Sequence, residues 1–312
     1  MVDIIITETM NQESVDDLVS DFDVHYDPDL VNKPDELIAM IPGVPGLIVR
    51  NLTQVRRDLI EAGDGLLAVG RLGVGLDNID MEACAENNIQ VFPAVGANTD
   101  SVVELIVGAL FVLFRGAYHS SNDVLSGKWP KFELKSKGQE VRGKCLGIIG
   151  FGNIGKETSI TAKAIGMQVI ASDPFIEADD PVWEKYGVRK VSQQELIAMS
   201  DAITVHVPLI DGTRPVIGVD EIESMKPGVM ILNAARGGVV NEAALIEGLN
   251  SGKIGGALVD VFVEEPMKPG SAFEGVPNVI LTPHVGAMTI EADIRVSQMT
   301  ANNVRRVLEG KK

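Results

Sequence analysis

Short runs of apolar, β-branched residues alternate along this chain with stretches of helical periodicity. Four runs occur in the first hundred residues and six more after residue 144. They are "DIIIT" (3–7), "GLIV" (46–49), "LLAV" (66–69) and "IQVF" (89–92), then "CLGIIG" (145–150), "QVIAS" (168–172), "AITVHV" (202–207), "VMILNA" (229–234), "GALVDVF" (256–262) and "NVILTPH" (278–284). A helix-forming segment between strands is the crossover that parallel strands require, so the sequence predicts an α/β fold with parallel sheets.

The chain is long enough to form two such units. Its 312 residues are 45% apolar, and a domain usually has about 100 to 200 residues. A long apolar helix, predicted over about 101–118, separates the two series of strands, and "PAVGANTD" (93–100) before it could act as a hinge. The six later strands predict a doubly wound nucleotide-binding fold. A last amphipathic helix at 290–310 could pack on either unit.

Charge and cysteine content exclude several classes of protein. The formal charge of −17 argues against nucleic acid or an anionic membrane as a partner. Cys84 and Cys145 are far apart in sequence, so we expect neither a disulfide nor a metal site, and we expect a reducing, cytoplasmic location. The amino terminus lacks the features of a signal peptide. The longest apolar run, at 105–114, has 10 residues, against about 20 that cross a bilayer, and it predicts a buried helix.

A glycine-rich loop follows the first strand of the second series. Gly150, Gly152 and Gly155 form G-x-G-x-x-G between this strand and a helix-forming stretch. The first glycine permits a tight turn, the second lets the backbone approach a pyrophosphate, and the third lets helix and strand pack closely. Asp173 ends the next strand, 18 residues after Gly155, where a carboxylate binds an adenosine ribose and repels a 2′-phosphate. We therefore predict NAD as cofactor; a glycine turn beside a surface aspartate is the alternative.

Three polar residues follow late strands of the second series, at the sheet edge where ligands bind in α/β folds: Arg236, Glu265 and His284. An imidazole can take a hydroxyl proton while hydride leaves for a nicotinamide, a carboxylate can fix the imidazole tautomer, and a guanidinium can hold a carboxylate by two hydrogen bonds. Together the three predict oxidation of a 2-hydroxy acid to a 2-oxo acid. Taken singly, each is compatible with a turn: a salt-bridged arginine, a solvated glutamate next to Glu264, and a packed histidine.

These motifs carry a family resemblance. The stretches "GFGNIG" (150–155), "HVPL" (206–209), "NAARGGVVNE" (233–242), "DVFVEEP" (260–266) and "PHVGAMT" (283–289) resemble the successive signatures of the D-isomer-specific 2-hydroxyacid dehydrogenases. The resemblance implies that Arg236 orients the substrate, that Glu265 pairs with His284, and that His284 is the general acid/base. It further implies a cofactor site made of Gly150, Gly152, Asn153, Ile154, Gly155, Asp173, His206, Pro208, Thr213, Ala234, Asp260 and Gly286.

The resemblance also implies how the domains are divided. Residues 1–98 and 288–312 would form a smaller, flavodoxin-like substrate-binding domain. Residues 99–287 would form a Rossmann-type dinucleotide-binding domain, with the active site in a cleft between the two. Members of the family usually dimerise through the cofactor domain, so the helix at 101–114 is a candidate homodimer interface, and an ordinary core helix is the alternative.

The substrate is predicted from the first series of strands. "GRLGVGLDNID" (70–80) is similar to the family's substrate loop and would bind the substrate carboxylate near Val74 and Gly75. Arg50 ends another strand, and a similar arginine meets the phosphate in phosphoglycerate dehydrogenases; a surface arginine is the alternative. Asn51 replaces the serine that is common there, which leaves 3-phosphoglycerate, 3-sulfolactate, and glyoxylate or hydroxypyruvate all open.

We expect a three-carbon 2-hydroxy acid with an anionic 3-substituent. A smaller alternative is an imino-acid or phosphite oxidoreductase on the same scaffold. A different class is also compatible with the motifs, namely an NAD-binding sensor or corepressor without turnover. The complete set of Arg236, Glu265 and His284 favours the enzyme.

Overall fold

The computed structural model describes residues 2–310, without the side chain of His119. The chain forms two compact units, one made of the residues up to Asn98 together with those from Ala287, and the other of Thr99–Gly286. The strands are β1 (Ile4–Ile6), β2 (Val24–Tyr26), β3 (Gly46–Val49), β4 (Ala68–Arg71), β5 (Gln90–Pro93), β6 (Cys145–Ile149), β7 (Gln168–Ser172), β8 (Arg189–Lys190), β9 (Ala202–Val205), β10 (Val229–Asn233), β11 (Ile254–Val259) and β12 (Val279–Leu281). The α-helices are α1 (Gln12–Val19), α2 (Pro34–Met40), α3 (Arg57–Ala62), α4 (Met81–Glu86), α5 (Thr99–Arg115), α6 (Ser121–Leu125), α7 (Lys131–Lys137), α8 (Asn153–Ala164), α9 (Val182–Tyr186), α10 (Gln193–Met199), α11 (Val219–Ser224), α12 (Glu242–Ser251) and α13 (Ile290–Glu309).

The first unit is a five-stranded parallel sheet in the order β2-β1-β3-β4-β5, which is the flavodoxin-like order. Helix α13 packs on this sheet, which settles the alternative that the sequence left open. A Cβ at Gly70 of β4 would lie 2.6 Å from Thr300 and 2.8 Å from Val304 of α13. Because a glycine stands there, the helix can approach the middle of the sheet closely.

The second unit is a seven-stranded parallel sheet in the order β12-β11-β10-β9-β6-β7-β8. The strand order reverses between β6 and β9, and such a switch point is where doubly wound folds bind their ligand. The predicted pair of α/β folds, Rossmann-type and flavodoxin-like, is therefore confirmed. Cores of apolar side chains cover both faces of each sheet.

Three details differ from the sequence prediction. Strands β2 and β8 were missed, because three half-buried residues in one and two residues in the other are too few for a periodic pattern. The long helix α5 ends at Arg115 instead of Tyr118, since Gly116 adopts a left-handed conformation (φ 60°) that breaks the helix.

Among the described residues, no helix is long and apolar enough to cross a membrane, and no cluster of His, Cys, Asp and Glu is suited to hold a metal ion.

Candidate active site

The glycine-rich loop has the geometry of an anion-binding turn. Gly150 has φ +91°, and a Cβ there would lie 2.5 Å from the carbonyl oxygen of His206. A Cβ at Gly155 would lie 2.4 Å from the carbonyl oxygen of Gly150, so only glycine lets α8 pack this closely on the loop. A Cβ at Gly152, by contrast, would point into open space within 4 Å, which leaves the backbone accessible to a ligand.

Helix α8 begins directly after this loop with no side-chain cap. Gly152 is its N-cap and supplies no acceptor to the first backbone amides, which belong to Asn153, Ile154 and Gly155. Uncapped amides at a helix N-terminus, together with the positive end of the helix dipole, bind phosphate groups. The loop and the helix therefore fit a pyrophosphate.

Asp173 follows β7 and is fixed by the backbone. One carboxylate oxygen accepts from the amide of Phe151 (2.8 Å) and the other from the amide of Phe175 (2.9 Å). The carboxylate lines an open groove of about 650 Å³ together with Pro174, Lys190 and other residues. Lys190 is not recognisable as a site residue from the sequence, because only the pairing of β8 with β7 brings it to this groove. Its ammonium donates to the carbonyl of Ile176.

His206 and the segment that follows it lie at the end of β9, next to β6 in the sheet. The His206 Nε2 is 3.1 Å from the Thr204 hydroxyl, and burial lowers the pKa of His206 to about 3, so its imidazole is neutral. The hydroxyl of Thr213 accepts from the amide of Ile210 (2.9 Å) and donates to the carbonyl of Pro208 (2.5 Å). These bonds close the 208–213 loop beside the switch point.

His284 and Glu265 form a hydrogen-bonded pair, with 2.7 Å between the imidazole Nδ1 and a carboxylate oxygen. The other Glu265 oxygen accepts from the amide of Phe262 (2.9 Å), so the carboxylate is itself held in place. A proton on Nδ1 leaves Nε2 as the free base, and the side chain of His284 is 43% exposed, which a proton-transferring group needs. His284 also has φ +56°, a left-handed conformation that is rare for non-glycine residues and is concentrated at functional sites.

Asp260 anchors the turn that carries His284. Its carboxylate, 1% exposed, accepts from the Thr282 hydroxyl (2.6 Å) and from the amides of Val285 and Gly286 (both 2.8 Å). Its backbone carbonyl accepts from the His284 amide (2.8 Å). Thr282 is a site residue that sequence reasoning missed; its signal was a hydroxyl beside the strand-end proline Pro283.

Arg236 lies at the end of β10, whose neighbour β11 leads to Glu265. Its guanidinium donates to the carbonyl of Ala235 (2.6 Å), and Asn233, 3% exposed, bonds the Arg236 carbonyl and the Ala235 amide at 3.1 Å each. The loops of Arg236 and Glu265 touch, because a Cβ at Gly237 would lie 1.9 Å from the carbonyl oxygen of Phe262. The carboxyl ends of three adjacent strands, β10, β11 and β12, thus bear Arg236, Glu265 and His284.

In the first unit, the predicted substrate residues follow the adjacent strands β3 and β4. Val74 is exposed and Gly75 half-buried in the loop after β4, where Gly73 has φ +144°. Arg50 directly follows β3 and pairs with Asp293 of α13, at 2.5 Å between guanidinium nitrogen and carboxylate oxygen. Asp293 is a functional candidate that sequence reasoning missed, because the two residues lie 243 positions apart.

Glu8, at the end of β1, shapes the loop that begins with Arg50. Its carboxylate, 5% exposed, accepts from the amides of Arg50 (2.8 Å), Asn51 (3.3 Å), Leu52 (3.1 Å) and Thr53 (2.9 Å). A single carboxylate therefore satisfies four backbone donors. An acidic residue two positions after the end of a buried strand was the sequence signal for this role, and it was overlooked.

A doubly wound sheet with an intact dinucleotide loop and a paired histidine and glutamate defines a nicotinamide-dependent oxidoreductase of the alcohol–ketone type. Comparison with known proteins agrees: residues 107–286 match the D-isomer specific 2-hydroxyacid dehydrogenase NAD binding domain. The chain belongs to the D-isomer specific 2-hydroxyacid dehydrogenase family. The family resemblance and the prediction of NAD are thereby confirmed.

Individual relatives cover nearly the whole chain. It is 45% identical over 308 residues to the (S)-sulfolactate dehydrogenase of Chromohalobacter salexigens, covering 99% of each chain. It is 40% identical over 311 residues to the D-3-phosphoglycerate dehydrogenase of Methanocaldococcus jannaschii, covering 99% of this chain and 58% of that protein. Among solved structures, the NAD-dependent formate dehydrogenase of Staphylococcus aureus in complex with NAD has a TM-score of 0.83 at 26% identity, with coverage of 99% and 96%.

Proposed function

We propose that this protein oxidises a three-carbon 2-hydroxy acid with an anionic 3-substituent to its 2-oxo acid, and catalyses the reverse reaction. The observation that carries the proposal is the 2.7 Å contact between His284 and Glu265 at the strand ends of a dinucleotide-binding sheet. The names of two relatives, a sulfolactate dehydrogenase and a phosphoglycerate dehydrogenase, support a substrate of this type.

His284 is the general acid/base of this mechanism. Its Nε2 takes the hydroxyl proton during oxidation and returns it during reduction, while bound NAD supplies the hydride acceptor. Glu265 keeps the Nδ1 proton in place and balances the positive charge that the imidazole gains. Arg236 holds the substrate carboxylate, because a guanidinium binds a planar carboxylate through two parallel hydrogen bonds.

The cofactor site is proposed for the second unit. Gly150, Gly152 and Gly155, with the amides of Asn153 and Ile154, bind the pyrophosphate, and Asp173 binds the adenosine ribose. The resemblance adds a set of residues near the rest of the cofactor: His206, Pro208, Thr213, Ala234, Asp260 and Gly286. The carboxylate of Asp260 accepts from the Gly286 amide, which supports a structural role for these two beside the cofactor.

The substrate site is proposed to use the first unit. The loop with Val74 and Gly75 offers backbone amides to the substrate carboxylate, and Arg50 binds the 3-substituent. Along the substrate, the reacting carbon then lies between the carboxylate and the distal anion. The first unit is the substrate-binding domain in this proposal, and Thr99–Gly286 is the dinucleotide-binding domain.

A screen of NAD reduction by 2-hydroxy acids tests the function. It includes sulfolactate, 3-phosphoglycerate, glycerate, glycolate and lactate, with the His284→Ala variant as the background. We expect the wild type to oxidise at least one acid with an anionic 3-substituent faster than lactate. Absence of NADH formation with every acid, despite measurable NAD binding, would instead indicate the sensor class.

A homodimer in the cytoplasm completes the proposal. Large apolar side chains are exposed just after α5: Leu125 is 85%, Trp129 76% and Phe132 78% exposed. Exposed apolar patches mark protein interfaces, and we assign this one, on the dinucleotide-binding unit, to a second copy of the chain. Helix α5 itself is mostly core, so the segment after it contributes the exposed surface. Sedimentation of the Trp129→Ser variant should show monomers where the wild type shows dimers.

A further inference from the structure

Arg50 is held on several sides within the first unit. Four hydrogen bonds to Glu8 fix the loop that begins with Arg50. Its guanidinium donates through Nε to the Thr9 carbonyl (3.1 Å) and through Nη2 to the Asp293 carboxylate (2.5 Å), and the side chain is only 13% exposed. The cation therefore has a fixed orientation, with Asp293 as its counterion.

The third nitrogen of the Arg50 guanidinium, Nη1, has a weak partner that an anion can displace. Nη1 lies 3.7 Å from the Sδ of Met288, and Met288 is 55% exposed. A thioether sulfur is a weak acceptor, so an anionic oxygen that displaces it gains a stronger, charge-assisted hydrogen bond. A ligand anion at this edge lies next to the Asp293 carboxylate, which is 36% exposed.

The charge of the ligand determines how strongly the Asp293 carboxylate repels it. A sulfonate carries a single negative charge, whereas a phosphate monoester carries about −1.5 to −2 at pH 7. The Arg50 charge is already shared with Asp293, and the Glu8 carboxylate is occupied by backbone amides. The additional charge of a phosphate is therefore repelled at this position without gaining a second bond from Arg50.

We propose that Asp293 is a specificity-determining residue that makes the site at Arg50 select a sulfonate over a phosphate as the 3-substituent. This inference rests on the proposed function, in which Arg50 binds that substituent. Asp293 acts by unfavourable charge, because its carboxylate offers no donor to either anion and repels the second charge of a phosphate.

The test compares 3-sulfolactate with 3-phosphoglycerate, two three-carbon 2-hydroxy acids that differ in the distal anion, both as racemates. In the wild type, kcat/KM should be at least about tenfold higher for sulfolactate, the scale of one unit charge near a partly exposed carboxylate. In Asp293→Asn, kcat/KM for phosphoglycerate should rise by about tenfold, and by less than about threefold for sulfolactate. Glu291→Gln is the matched control, since it removes an equal charge from the same turn of α13 and should leave the ratio unchanged.

The outcomes separate the inference from the function. Equal or better use of phosphoglycerate by the wild type, or an equal gain for both acids in Asp293→Asn, overturns the inference and leaves the oxidoreductase function standing. A preference for the uncharged 3-substituent of glycerate over both acids also overturns it. If no 2-hydroxy acid is oxidised at all, the proposed function itself fails.

Discussion

Replacing Thr282 by valine removes one hydrogen bond from the buried carboxylate that anchors the catalytic turn. The Thr282 hydroxyl donates to Asp260 at 2.6 Å, and valine has nearly the same shape without the donor. Asp260 then keeps the amides of Val285 and Gly286 as partners. The perturbation is therefore local to the turn that holds His284 in its left-handed conformation.

The magnitude follows from the burial of the two partners. A hydrogen bond to a charged group contributes about 1.5 to 3 kcal/mol, and we expect the lower value, about 1.5 kcal/mol, because Thr282 is only half-buried. For a unit of this size, that loss corresponds to a decrease in Tm of about 3 to 6 °C. A small shift of the imidazole should lower kcat by about tenfold, since catalytic groups act only when closely aligned with the substrate.

Thermal unfolding and steady-state NADH formation measure the two effects, with Thr282→Ser as the matched control. Serine keeps the hydroxyl and should retain most of both the Tm and kcat. If valine and serine behave alike, or if valine leaves Tm and kcat unchanged, the hydrogen bond to Asp260 does not hold the turn, and the reasoning is wrong.

Further predictions concern the glycine-rich loop, Glu265 and His206. Gly155→Ala should lower both Tm and NAD affinity, because the added Cβ meets the backbone at 2.4 Å. Gly152→Ala has open space around its Cβ and should weaken NAD binding by about tenfold or more at unchanged Tm. Calorimetry and NAD titration test this contrast. Glu265→Gln should lower kcat by about 10- to 100-fold with little change in NAD affinity, while Glu264→Gln should match the wild type in the same steady-state assay. Burial lowers the pKa of His206 to about 3 from 6.5, so on acidification the unfolded chain binds a proton at this imidazole before the folded chain does. The free energy of unfolding, measured by denaturant titration, should therefore fall as the pH decreases from about 6.5 towards 3. It should fall less in His206→Asn.

The main features of the fold were predictable because they depend on local pattern. Strands such as Cys145–Ile149 are buried on both faces and read as continuous apolar runs, and the helices between them bear the expected periodicity. Strand β8 escaped prediction, since two residues acquire strand geometry only by pairing with Ile170 and Ala171 of β7. The packing of α13 on the first sheet depends on Gly70, far away in sequence, and periodicity alone left it open.

The site was predictable as far as strand ends reveal it. Glu265 and His284 follow adjacent strands, so their contact could be expected from the motif order. The position of Glu8 after a strand marks it as a candidate, but its bond to Thr53 and the pair of Arg50 with Asp293 depend on how distant segments meet in three dimensions. Sequence patterns thus indicate the groups that do the chemistry more readily than those that hold them.

The most direct test of the central claim is the rate of NADH formation by His284→Ala at saturating substrate, with and without added imidazole. If His284 transfers the proton, kcat falls by about 10²- to 10⁴-fold, NAD affinity is retained, and imidazole restores part of the rate. A variant that keeps the wild-type kcat, or one that loses NAD binding together with activity and gains nothing from imidazole, would contradict the assignment of His284 as the general acid/base.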